Sequence, residues 1–170
     1  PPCEFSWFVM GSAGRREQAA VSDQDHGIIF KEGGKLQNGY FLAFGEKLVQ
    51  ALEFVGYPLC EGNVMSSKLI WCRPECEWQQ QIFGWIRENT WKSLRYLLIF
   101  MDARTVAGDK ERVLGLKRFV FQIIQKEPSI LERLFDNTKH NKKAIGALNQ
   151  LLPIPSGPYT GCIHLKTAAF

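Results

Sequence analysis

No run of apolar residues in this 170-residue chain approaches the roughly 18 needed to cross a bilayer, and no basic segment followed by an apolar one opens it. The sequence therefore predicts a soluble chain without membrane contact, expected in the cytoplasm. Charge of one sign is also scarce: 21 Lys and Arg face 17 Asp and Glu, a formal +4 with the basic residues scattered. That excludes a protein whose main work is neutralising a nucleic-acid backbone, while small anionic ligands stay open. The five cysteines, Cys3, Cys60, Cys72, Cys76 and Cys162, include no CxxC pair, and the histidines number three. Neither a disulfide framework nor a zinc site is expected; reduced thiols are. Internal repeats and long low-complexity tracts are missing too. What is left, 45% hydrophobic and 12% aromatic, is the composition of an ordinary globular domain. The chain begins Pro1-Pro2 and stops at Phe170, where residues 162–166 start to read as a strand, so it is expected to be a fragment of a longer one.

Periodicity orders the rest. Phe5 to Met10 reads as a buried strand ending in a turn at Gly11, after which Ser12 is placed to cap a helix running to about Ala20. Asp25 to Phe30 returns to β character. From about Asn38 to Phe54, apolar residues recur at helical spacing until Gly56 and Pro58 stop them. A short strand is predicted around Leu59 to Glu61, then a loop through residues 62–67. Beyond Pro74 four helices are predicted, over about 75–88, 91–107, 110–126 and 128–150, with breaks at Asn89-Thr90, Gly108-Asp109 and Pro128. The expected organisation is an α/β core over 1–73, a helical subdomain over 74–152, and a loop with a truncated terminal strand over 153–170.

The chemistry concentrates in Gly11-Ser12-Ala13-Gly14-Arg15-Arg16-Glu17 and Ser22-Asp23-Gln24-Asp25. Gly11 and Gly14 let backbone approach a ligand, and Ser12 lies where a strand hands over to a helix, so NH groups and a hydroxyl can hold phosphate oxygens. Asp23 and Asp25 are two apart, which at a strand start points both carboxylates to one face. Two adjacent hard oxygen ligands suit Mg²⁺, or Mn²⁺ in its place, and a bound triphosphate supplies further ligands. Either feature alone is weak; together, one helix apart, they point to a metal–nucleotide site.

These residues carry a resemblance. GSAGRREQAAVSDQDHGIIF is similar to the signature of the DNA-polymerase-β-type nucleotidyltransferase superfamily, and GYPLCEGNVMSS, WCRPECEW and FMDARTVAGD extend it across the chain. The chain thereby closely resembles the nucleotidyltransferase-type domain of bacterial signalling proteins that also carry cyclic-nucleotide-binding and CBS domains, a family similar to the protein-PII uridylyltransferases and glutamine-synthetase adenylyltransferases. The resemblance implies a nucleotidyltransferase core with a mixed β-sheet flanked by helices, followed by an α-helical bundle. It implies Mg²⁺-dependent transfer of a nucleoside monophosphate from an NTP to a hydroxyl, with a regulatory protein as possible acceptor and sensory domains elsewhere in the full-length chain. Carried over by position, Gly11 and Ser12 contact phosphate, Asp23 and Asp25 hold the metal, and Arg15 and Arg16 match the basic part of the family's pattern. A third carboxylate completes such sites, and by chain order the candidates are Glu61 and Asp102. A chain lacking it would instead be a catalytically inactive nucleotide-sensing or interaction module.

The remaining features have ordinary expectations. Trp71, Trp78, Trp85 and Trp91, spaced by sevens and a six, read as core or interface packing. His26 is expected to face away from Asp25, Glu17 to be an interior partner for an Arg or a backbone NH, and Asp102 to pair with Arg104. Lys139, Lys142 and Lys143 read as a solvated helix face.

Overall fold

The computed structural model of the chain describes residues 1–18, 22–138, 153, 155, 160 and 161. The chain divides into two compact units, Pro1–Leu134 and Phe135–Phe170; the architecture below is that of the first. Alternation in Phe5–Val9 makes strand β1: Ser6 and Phe8 are fully buried, while Phe5, Trp7 and Val9 are half-buried on the other face. Strand β2, His26–Phe30, is buried at every position, as a central strand should be. It pairs antiparallel with β1, Phe5 opposite Phe30 and Val9 opposite His26. Strand β3, Cys72–Pro74, runs parallel to β2, and β4, Arg104–Gly108, runs antiparallel to β1 on its other side. The sheet is mixed, as expected, with order β3-β2-β1-β4.

Helices α1 (Gly11–Arg15), α2 (Lys35–Phe54), α3 (Glu75–Glu88), α4 (Trp91–Met101), α5 (Lys110–Lys126) and α6 (Ser129–Thr138) complete the described elements. Two boundaries follow local chemistry. Asn89 takes the left-handed conformation after α3, and Thr90 and Ser93 bond reciprocally to open α4. Asp109 accepts the Glu111 N–H at 2.9 Å to open α5.

Other boundaries depart from expectation. The helix predicted over about 91–107 ends at Met101, and residues 104–108 form β4. Pairing with β1 satisfies backbone groups on that strand's second edge, a gain that local periodicity does not register. The helix predicted to run to about Ala20 ends at Arg15, and Arg16 takes a left-handed φ of 62°. Met10, not Ser12, occupies its N-cap, and Ser12 lies inside the first turn. No strand forms at Leu59–Glu61; the chain turns there, with Asn63 N–H donating to Cys60 O at 2.9 Å. Lys139, Lys142, Lys143, Cys162 and the terminal strand lie outside the described residues.

The two faces of the sheet are covered differently. On one, Phe8, Met10 and Ile29 pack with Trp71, Trp78, Trp85, Leu97, Phe100 and Leu116, contributed largely by α3, α4 and α5. The Trp78 indole donates to Ile28 O at 3.1 Å, which satisfies its buried N–H. Trp91 departs from the other three tryptophans: it is 51% exposed, with the Arg95 guanidinium over its ring. On the other face, α2 sets Phe41 against Ile28 and Phe30, with the Phe30 and Phe41 rings stacked 4.5 Å apart. That helix packs over β2 and β3. Strand β4 is half-buried to exposed along its length.

Candidate functional site

Beside the end of α2 lies a cleft of about 240 Å³. Trp7 and Val9 from β1 and Arg104 and Val106 from β4 line it, as do Asp23, Gln24, Asp25 and His26. Leu52 and Tyr57, at and just beyond the last turn of α2, close another side.

The segment leading into β2 alternates. Gln24 and His26 are buried, at 3% and 1% exposure, while Asp23 and Asp25 are half-buried. Gln24 fastens the chain after α2: its backbone N–H donates to Pro58 O at 3.1 Å, and its side-chain amide donates to Val49 O at 3.2 Å and Tyr57 O at 2.9 Å. His26 fastens the next stretch. Its N–H donates to Val64 O at 3.0 Å, and its Nδ1 accepts the Ser66 N–H at 3.4 Å. Nε2 then carries the ring proton and donates to Gln24 Oε1 at 3.1 Å. Burial pulls the His26 pKa down to about 4, so the ring is neutral near pH 7.

This fastening brings Cys60 to the aspartates. A carboxylate oxygen of Asp23, one of Asp25 and the Cys60 Sγ all lie within 4.8 Å of one another. Burial pushes the Cys60 thiol up to about 12, a backbone hydrogen bond at Val64 pulls it down, and the Asp25 and Asp23 carboxylates push it further up. The thiol is protonated at neutral pH.

The Gly-Ser turn adjoins the same carboxylates. Met10 N–H donates to Asp25 O at 2.8 Å, and Gly11 has φ of 52°. A Cβ at Gly11 would stand 2.8 Å from Asp25 Oδ2, so only glycine leaves that approach free. Gly14 serves packing instead: a Cβ there would fall 2.1 Å from the Asp102 carbonyl oxygen. Ser12 is buried at 7% exposure.

Arg15 is engaged by two acids, pairing with Glu17 at 2.8 Å and with Asp102. Burial pulls its pKa down, but the hydrogen bonds and charges of Glu17 and Asp102 outweigh that and leave it raised. Glu17 thus partners a local arginine, though from a half-exposed position rather than the interior. Asp102 does not pair with Arg104. Burial raises the Asp102 pKa against the pull of Arg15 and Lys117. Arg104 instead donates to Gly14 O at 3.3 Å and Ala13 O at 2.9 Å, capping the carbonyl end of α1. Arg16 is exposed, and Glu61 is exposed on the turn after Cys60. Among the described residues, neither Glu61 nor Asp102 joins the group at Asp23 and Asp25.

Residues 1–92 match the family model described as "Putative nucleotidyltransferase DUF294". The chain belongs to this nucleotidyltransferase family. No curated protein and no solved structure matches it. The family match takes in the Gly-Ser turn, both aspartates and Cys60, and ends at Lys92, before Asp102 and Arg104. No helix among the described residues is long and apolar enough to cross a membrane.

Two residues of the site were not singled out for it from sequence. Cys60 reads there as an ordinary thiol, since it has no second cysteine or histidine at metal-ligand spacing; only the turn after Pro58, held by Gln24 and His26, sets it beside Asp25. Arg104 reads as a partner for Asp102 two residues away, but a strand at 104–108 turns it onto α1.

Proposed function

We propose that the cleft binds a nucleoside triphosphate with Mg²⁺, or Mn²⁺, and that the chain transfers the nucleoside monophosphate to a hydroxyl. One observation carries this reading: Asp23 and Asp25 converge beside the side-chain-free Gly11 at the edge of an open cleft, in a chain of the nucleotidyltransferase family. The donor set fits a hard divalent cation in its two carboxylates, while the thiol contributes nothing to Mg²⁺. Asp23 and Asp25 would hold the metal, which when bound neutralises triphosphate charge and polarises the α-phosphorus.

The chain's own groups position the rest. Gly11 and Ser12 approach the phosphates with backbone NH groups, and exposed Arg16 is placed to meet outer phosphate charge more readily than Arg15, already held by two acids. Trp7, Val9 and Val106 offer an apolar floor for ribose or base. At about 240 Å³ the cleft is smaller than most enclosed small-molecule sites, so part of the nucleotide stays in solvent, where an acceptor reaches it. The acceptor hydroxyl attacks the α-phosphorus and pyrophosphate leaves opposite it. On the family resemblance the acceptor is a regulatory protein, with sensory domains elsewhere in a longer chain.

A second reading, a nucleotide sensor without transfer, is favoured by one feature: the candidate third carboxylates, Glu61 and Asp102, stand outside the Asp23–Asp25 group. Pyrophosphate release from ATP, CTP, GTP and UTP with Mg²⁺ and candidate acceptors separates the two. Release that depends on acceptor and on Asp25 supports transfer. Tight Mg-nucleotide binding without release from any pair supports the sensor.

A further inference from the structure

We propose that Cys60 is a third ligand at the Asp23–Asp25 site and makes it a binding site for a thiophilic divalent cation, Zn²⁺ foremost, that competes there with Mg²⁺. The inference rests on the reading of Asp23 and Asp25 as metal carboxylates and adds the sulfur. Its first support is geometric: among the described residues, these three side chains alone offer three ligand atoms within 4.8 Å of one another. Zinc bonds to oxygen and sulfur of about 2.0 to 2.3 Å put neighbouring ligands of a tetrahedral ion about 3.5 Å apart, so small side-chain rotations close the set.

Its second support is that the thiol is held in place. Pro58 O and Tyr57 O on one side of Cys60, and Val64 O and Ser66 N–H on the other, are tied to Gln24 and His26, which flank Asp25 in the chain. Cys60 is only 8% exposed, yet Asp23 and Asp25 line the open cleft, which gives an ion a path to the sulfur.

Donor chemistry then decides the preference. Thiolate sulfur favours Zn²⁺ or Co²⁺ and adds little to Mg²⁺, so the same pocket ranks cations by softness as well as charge. The step balances without oxidation: the Cys60 S–H bond breaks, a sulfur–zinc bond forms, and one proton passes to solvent for each ion bound.

The test titrates the intact chain, in a thiol-free reductant, with Co²⁺ and Zn²⁺ alone, and measures Mg-ATP affinity in parallel. Wild type is expected to show a sulfur-to-cobalt charge-transfer band at one equivalent, to release about one proton per zinc, and to lose Mg-ATP as Zn²⁺ is added. Cys60→Ser should lose the band and bind Zn²⁺ at least about tenfold more weakly. Cys60→Ala, checked for an unchanged circular-dichroism spectrum, guards against a packing effect of serine. A band and zinc affinity unchanged in both variants, or no band in wild type, overturns the inference while leaving the Mg-nucleotide site standing. Failure of Asp25→Asn to alter Mg-ATP affinity would instead overturn the reading on which it rests.

Discussion

The two faces of the sheet are made from the same strands but finished differently. Phe8 and Ile29 meet α3, α4 and α5 in a dense aromatic and aliphatic core, whereas Trp7 and Val9, their alternating neighbours on β1, look into a cleft with Asp23, Asp25 and Arg104. One strand therefore sends Ser6 and Phe8 into the α3–α5 core, and of its odd-numbered positions Phe5 packs under α2 while Trp7 and Val9 line the cleft. The closed face tolerates no loss of volume. The other face is closed by α2 over Phe30 and Phe41 and opens only at the cleft, where Asp23 and Asp25 are half-buried.

Substitutions should separate the faces. Trp78→Ala removes a fully buried indole and its hydrogen bond to Ile28 O, and should cost about 3–5 kcal/mol in chemical denaturation, enough to unfold a marginal domain. Gly14→Val lies between the faces. Its Cβ would meet the Asp102 carbonyl, so α1 must shift, with an expected loss of about 1–3 kcal/mol and weaker nucleotide binding; unchanged stability would mean that α1 does not pack on the α4–β4 turn.

Alkaline pH offers a gentler probe of the other face, where Cys72 packs with Ile28, Phe30 and Phe41 under α2. Burial pushes the Cys72 thiol from its usual 9.0 up to about 12. Between these values the unfolded chain has lost the proton that the folded one keeps, so stability falls as pH rises, by at most about 1.4 kcal/mol per unit. The loss begins near the unfolded pKa and levels off above the folded one. Replacing Cys72 with Ala should flatten that slope in urea titrations above pH 9.

Much of this contrast is legible in the sequence, and the exceptions share a cause. Strands β1 and β2 and helices α2, α3 and α5 follow from periodicity and breakers, because each carries its own apolar repeat and stop signal. Arg104–Gly108 does not: it follows an unbroken apolar helix, and only β1, about a hundred residues earlier, makes it a strand. Asp23 and Asp25 are readable as a pair because their spacing is local. Cys60 is not, since hydrogen bonds from Gln24 and His26 across more than thirty residues bring it to them. Arg15 illustrates the converse: its place in the Gly-Ser motif suggests a phosphate contact, while the fold gives it two carboxylates.

The central claim is that Asp23 and Asp25 are set side by side to hold a metal-bound triphosphate, and calorimetric titration of Mg-NTP into wild type, Asp23→Asn and Asp25→Asn tests it most directly. The account predicts measurable binding by wild type, its loss in both variants, and apo melting temperatures equal to or above wild type, because removing one charge relieves repulsion between the carboxylates. Wild-type affinity for Mg-nucleotide in both variants would contradict it.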